Sequence, residues 1–245
     1  MTLDYLSLLA ADVEAFALAL EAGSPDAEIA GCPGWTLPAL GTHLGVVHRW
    51  ARAAIVTGGA PQLDPASDPA PTDLVGIAGW VRDGGAGLIS TLAETDPSQT
   101  TWHPFPVEPK VAGLWRRRQA QEASVHRWDA QRAVGLSPTI DTEFAADGID
   151  EYWTVMLPRM LSRERGTPPA SVFATSTTDT GGRWVVDGAS GQVLPAGPDV
   201  NPHAELRGSA LDLLLRLWGR PVDGGALEVV GDAEVCADWL ALGGA

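Results

Sequence analysis

Through the first two-thirds of the chain apolar residues recur every three to four positions, and past Gly166-Thr167-Pro168-Pro169 they alternate instead. The first rhythm belongs to helices and the second to strands, so an all-helical and an all-strand fold are both excluded. Residues 3–22 put Leu6, Leu9, Val13, Phe16 and Leu20 at helical spacing, and Gly23-Ser24-Pro25 stops that helix. A second helix is expected from Thr36, a plausible N-cap with Pro38 in the first turn, to about Val56, where Gly58-Gly59 and Pro61 end it. After a Pro/Asp/Ala-rich loop over 60–71, a third spans about 72–93. Its glycines (Gly76, Gly79, Gly84, Gly85 and Gly87) imply close packing or a local break. A fourth occupies about 111–134 and is closed by Gly135, and a fifth, about 142–164, must kink or stop at Pro158.

Beyond residue 167, Ser171–Thr177 and Arg183–Val186 read as strands joined by the turn Asp179-Thr180-Gly181-Gly182. A strand near His203–Arg207, a helix capped by Ser209 over Ala210–Trp218, a strand at Leu227–Val230 and a helix over Ala233–Leu242 complete the pattern. The expected fold class is α+β: a helical bundle over 1–166, then a small α/β domain over 167–245.

Charge narrows the function. Acidic side chains number 31 against 16 basic, a net charge of −15, so no basic stripe is available to neutralise a phosphate backbone and nucleic acid is excluded as a partner. Arg116-Arg117-Arg118 reads first as a partly solvated helix face and second as an anion contact. No apolar run is long enough to span a membrane, and the N-terminus lacks a basic, apolar leader; a cytoplasmic protein is expected. Cys32 and Cys236 are too few for a disulfide framework. Cys32, before Pro33-Gly34, reads as a small buried turn residue ahead of an activated thiol. Ten tryptophans are present, and core packing is the default for most; Trp35, Trp50, Trp115 and Trp128 flank the chemistry-bearing segments.

Those segments are the second and fourth helices. Glu122 and His126 stand four apart, so their side chains share one helix face. His43 and His48 stand five apart, about 140° out of alignment, and cannot address one point. Leu40, Val47 and Trp50 place His43 on a face that looks buried, while His48, beside Arg49 and Arg52, reads as nearer the helix edge. Two readings of His43 stay open: a core histidine bonded to a backbone carbonyl, or a metal ligand with Glu122 and His126. Two histidines and a carboxylate suit a catalytic divalent ion with open positions, zinc most simply, with iron, nickel and manganese not excluded. Asp129 reads as a solvent-facing acid before it reads as a support for His126.

The stretch Cys32-Pro-Gly-Trp-Thr-Leu-Pro-Ala-Leu-Gly-Thr-His43-Leu, with His48-Arg-Trp50, resembles the N-terminal signature of the mycothiol-dependent maleylpyruvate isomerase family. Glu122-Ala-Ser-Val-His126-Arg-Trp-Asp129-Ala is similar to that family's second signature. Leu206–Arg220, with Leu227–Asp232, looks like its small second domain. The resemblance implies a DinB-like four-helix bundle followed by a small sterol-carrier-like α/β domain. It also implies a divalent metal, usually zinc, at positions that correspond here to His43, Glu122 and His126. In the family's isomerase the second domain supplies an arginine needed for activity; Arg220 is the candidate, with Arg207 and Arg216 as rivals.

The function this implies is a metal- and mycothiol-dependent isomerase or S-transferase. Its expected substrate is a small electrophilic one, carboxylate-bearing and maleylpyruvate-like. Other classes stay open: a metal-dependent hydrolase acting through bound water, or a non-catalytic small-molecule-binding module. A monomer or homodimer is expected.

Overall fold

The computed structural model describes residues 3–163, 167–195, 200–222 and 225–242. Its contacts divide the chain into two compact units, one of residues 1–104 and 108–139, the other of 105–107 and 140–245. The α+β class stands: four long helices, then a small mixed sheet with helices.

The first unit comprises α1 (Tyr5–Ala22), α2 (Leu37–Thr57), α3 (Leu74–Glu94) and α4 (Gly113–Ala133). Helix α1 packs on α3 and α4, and α2 packs on the same two, so α1 and α2 lie on one diagonal of the bundle. Thr36 occupies the N-cap position of α2, yet its hydroxyl makes no capping bond; Pro38 stands in the first turn as expected. Helix α3 starts at Leu74, slightly later than 72, because the Asp73 carboxylate accepts from Gly76 N at 2.9 Å and fixes the cap there. The glycines expected to permit close packing do so at three points: a Cβ on Gly76 would meet Pro71 at 2.7 Å, and the other two face neighbouring helices. A Cβ on Gly84 would meet the Arg49 guanidinium at 2.3 Å, and one on Gly85 would meet Val13 at 2.8 Å.

Arginines 116–118 are not simply a solvated face. Arg116 Nη2 donates to Leu92 O at 2.6 Å and Thr95 O at 2.9 Å, satisfying carbonyls at the end of α3. Arg118 is buried, 3% exposed.

In the second unit the fifth helix runs as α5 (Thr142–Glu151), gives way to a π-helical turn (Tyr152–Met156) and resumes as α6 (Leu157–Ser162). Pro158 thus follows directly on the π-helical turn, where Leu157 N donates to Tyr152 O and the backbone stays helical, so the chain is rewound locally rather than stopped. The expected end at 164 lies outside the described residues. Contacts divide the chain at 139/140, whereas the sequence rhythm changes at 166/167, because α5 packs on α7 (Ala210–Leu217) within the second unit. The change from helical to strand rhythm marks where the sheet begins, and a helix that covers the sheet's own unit can precede it.

Strands β1 (Val172–Thr177), β2 (Arg183–Asp187), β3 (Gln192–Leu194), β4 (Ala204–Gly208) and β5 (Glu228–Gly231) form one sheet in the order β3-β2-β1-β4-β5. Only β1 and β4 pair in parallel, with Thr175 opposite Leu206. Short β3, a three-residue edge strand, was not foreshadowed by the periodicity. Ser209 caps α7 as expected, its hydroxyl accepting from Asp212 N at 3.1 Å. Helix α8 (Ala233–Ala241) lays Trp239 on Phe173, the rings stacked with centroids 5.6 Å apart, and Trp153 meets both edge-on. Among the described residues no helix is long and apolar enough to cross a membrane.

Candidate metal centre

Helix α4 is polar in sequence and buried in place: every residue from Ala123 to Ala130 is buried, among them Ser124, His126, Arg127 and Asp129. Polar groups are costly to bury without partners, so the partners of this helix decide what its buried face can do. Its neighbour α2 brings His43 alongside.

His43 Nε2 lies 3.1 Å from Glu122 Oε1, and His126 Nε2 lies 3.4 Å from the same oxygen. The donor atoms of all three residues fall within 4.8 Å of one another. The other atoms of two of them are already engaged: Arg118 Nη2 donates to Glu122 Oε2 at 3.0 Å, and His126 Nδ1 lies 3.1 Å from Asp129 Oδ2. Two imidazole nitrogens and one carboxylate oxygen, oriented by outer partners, have the donor chemistry of an open divalent site. The residues present fit the group.

The electrostatics agree. Burial pushes the Glu122 carboxyl up, but hydrogen bonds with His126 and His43 and the Arg118 charge outweigh it and hold the group well below its usual range. Burial works against the His126 cation, yet bonds to Asp129 and Glu122 raise its pKa overall. The Glu122 anion and the His126 cation thus favour one another's charged forms.

The wall beside His43 comes from the Cys32-Pro33-Gly34-Trp35 turn. Trp35 N donates to Cys32 O at 3.0 Å, and Gly34 takes φ +82°, so Pro-Gly occupies the centre of a type II turn that a side chain at Gly34 would strain. Bonds from Ile29 N to Trp35 O and from Leu37 N to Ala27 O tie this turn to the start of α2. Trp35 meets the His43 ring edge-on at 5.0 Å. Trp50 and Trp115 pack on each other edge-on, and Trp128 is buried.

Two sequence expectations are overturned. His48 is not at the helix edge but wholly buried, and neither ring nitrogen has a hydrogen-bond partner; burial above all holds its pKa down at about 4. His43 is the more open of the pair, its side chain 33% exposed. Asp129 is not solvent-facing: its side chain is fully buried against His126. Arg118 was not singled out in the sequence as a partner of Glu122, although the spacing 118, 122, 126, 129 places all four on one stripe of α4. Cys32 is buried as expected, with Sγ 4.0 Å from Asp129 Oδ2.

Two of the candidate arginines of the second unit are both engaged. Arg207 donates to Glu205 at 2.8 Å, while Arg220 is 3% exposed and donates to Trp218 O at 2.7 Å.

Fold and cluster together define a two-unit protein whose helical unit carries a His/Glu/His site suited to a divalent ion. The family model for the mycothiol maleylpyruvate isomerase N-terminal domain matches residues 6–131, and the model for the C-terminal domain of the same family matches 143–238. The chain belongs to the mycothiol-dependent maleylpyruvate isomerase family. Among solved structures it is similar to a mycothiol-dependent maleylpyruvate isomerase (TM-score 0.60) and to a histidine-to-alanine mutant of that enzyme (TM-score 0.59). Each is 15% identical, and the match covers 95% of this chain and 98% of the other, a likeness of fold. No curated protein matches the sequence.

Proposed function

We propose that this protein is a metal- and thiol-dependent isomerase or S-transferase, with mycothiol as the thiol and a small carboxylate-bearing electrophile as substrate. The observation that carries this reading is the convergence of His43 Nε2 and His126 Nε2 on Glu122 Oε1, in a chain whose two parts match the two domains of this family.

His43, Glu122 and His126 would hold the ion, zinc by donor type. When bound, it supplies Lewis acidity that lowers the pKa of a thiol at neutral pH. Arg118 keeps one Glu122 oxygen occupied, so the other faces the imidazoles. Trp35 shields one side of His43 from water. The thiolate adds to one carbon of an activated cis double bond, and the electron pair moves onto the conjugated carbonyl as an enolate. Rotation about the new single bond and expulsion of the same thiolate give the trans isomer, with no net change in thiol or protons. Protonation of the enolate carbon instead retains the new C–S bond and gives a conjugate. Arg220 is the group assigned to the substrate carboxylate or enolate, with Arg207 and Arg216 as its rivals.

The test is turnover of maleylpyruvate and a panel of activated alkenes by metal-loaded protein, with and without mycothiol. Turnover that needs both supports the proposal. Turnover in water alone points to a hydrolase, and ligand binding without turnover to a binding module.

A further inference from the structure

The His126 ring has two nitrogens, and only Nε2 belongs to the cluster with His43 and Glu122. On the opposite side Nδ1 lies 3.1 Å from Asp129 Oδ2, and the Cys32 thiol approaches that same oxygen at 4.0 Å, within reach of a sulfur hydrogen bond. The Asp129 side chain has no solvent exposure, and Cys32 is 2% exposed. The type II turn fixes where Cys32 stands, and the i, i+3 spacing on α4 fixes where Asp129 stands relative to His126. Three buried groups from two segments therefore meet on the side of His126 away from Glu122.

We propose that Asp129, supported by Cys32, is a positioning residue: it holds the proton of His126 on Nδ1, turns the Nε2 lone pair toward the ion and makes that lone pair a stronger donor. This rests on the metal reading above. A carboxylate can only accept at Nδ1, so the ring cannot place its lone pair there, and the single remaining lone pair faces Glu122. The thiol donates to Asp129 and stops the carboxylate from turning away. The Cys-Pro-Gly-Trp turn thus acts on the site through Cys32 as well as through Trp35.

The test compares wild type with Asp129→Asn, Asp129→Ala and Cys32→Ala. Zinc affinity is measured by competition with a chromophoric chelator. Outer partners of metal-bound histidines are worth roughly 10- to 100-fold in affinity, and a loss of that size is expected for both Asp129 variants, with a few-fold loss for Cys32→Ala. A second readout needs no metal: in ¹⁵N-labelled wild type, the His126 Nδ1–H gives a downfield, slowly exchanging resonance, assigned by its absence in His126→Gln and lost in Asp129→Ala. Absence of that resonance from wild type overturns the proposal even if no variant folds, and unchanged zinc affinity in Asp129→Asn overturns it too. So does a second zinc equivalent that disappears in Cys32→Ser, because Cys32, His126 and Asp129 would then be ligands of their own ion. Failure of wild type to bind any metal sinks the functional reading and leaves the Nδ1–H observation standing.

Discussion

The imidazoles of His43 and His126 stand edge to face, centroids 5.1 Å apart, one from α2 and one from α4. Rings from separate helices held this close, with a carboxylate oxygen between their Nε2 atoms, need a cation or a proton to offset that oxygen's charge. Replacing either histidine by alanine removes one of three donors. The expected outcome is a loss of zinc affinity of at least 100-fold and of thiol-dependent turnover. Helical content by circular dichroism should be retained, because His43 is partly open and the core around α2 rests on Leu37, Leu40 and Leu44. Metal analysis after dialysis against a chelator, followed by zinc add-back, checks it. Full turnover in a metal-free variant would sink the assignment.

Arg118 sits beneath the site with a side chain 4% exposed and donates to Glu122 at 3.0 Å. Arg118→Leu leaves the inner carboxylate without its neutralising charge. A hydrogen bond to a charged group is worth about 2 kcal/mol, and the metal-free variant should lose stability of that order in urea unfolding. Saturating zinc should recover part of the loss, since an ion replaces some of the missing positive charge. A variant as stable as wild type without metal would mean that the two histidines neutralise Glu122 alone.

How much of this was written in the sequence differs by element. The four long helices and the Glu122/His126 pair are local patterns, carried by a period of about 3.6 and by Gly and Pro stops, and each appears where expected. His48 and Asp129 depart from expectation for one reason: a polar side chain need not be exposed, and both of these are buried. Charged neighbours such as Arg49 misled in the same way, for Arg49 bonds to Gly45 O and Trp80 O and spreads over the Trp80 ring, so it covers α2 rather than marking a wet edge. The unit boundary depended on which helix α5 packs against, a tertiary choice that periodicity does not encode. Edge strand β3 is too short for alternation to show.

Gly45 and Gly79 offer a paired test of helix packing. A Cβ at Gly45 would fall 2.2 Å from the Trp80 ring, which cannot slide away: its Nε1 donates to Asp68 at 3.0 Å, and the Arg49 guanidinium lies over it at 3.7 Å. Gly45→Ala should therefore cost about 1–3 kcal/mol through overpacking. Gly79, inside α3, has nothing within 4 Å of its virtual Cβ, so Gly79→Ala should stabilise by up to about 1 kcal/mol by restricting the unfolded chain. Thermal melts of the two variants should move in opposite directions from wild type.

His48 predicts a specific acid sensitivity. Its folded-state pKa of about 4 lies below the ordinary 6.5, with burial the largest cause; Arg49, His126 and His43 add to the depression and Glu122 opposes it. Below pH 6.5 the unfolded chain takes up a proton that the folded protein refuses until about pH 4, so stability falls as pH drops through that window and levels off beneath it. At 1.36 kcal/mol per pKa unit, the full contribution is about 3 kcal/mol. His48→Leu keeps an apolar group of similar bulk and has no proton to bind, so it should lose this part of the slope. Carboxylates also titrate here, which makes the difference between variant and wild type the quantity to read. Urea unfolding at pH 7 and pH 4.5 measures it: the variant should gain on wild type as the pH falls, and parallel losses would mean that His48 titrates normally in the folded protein.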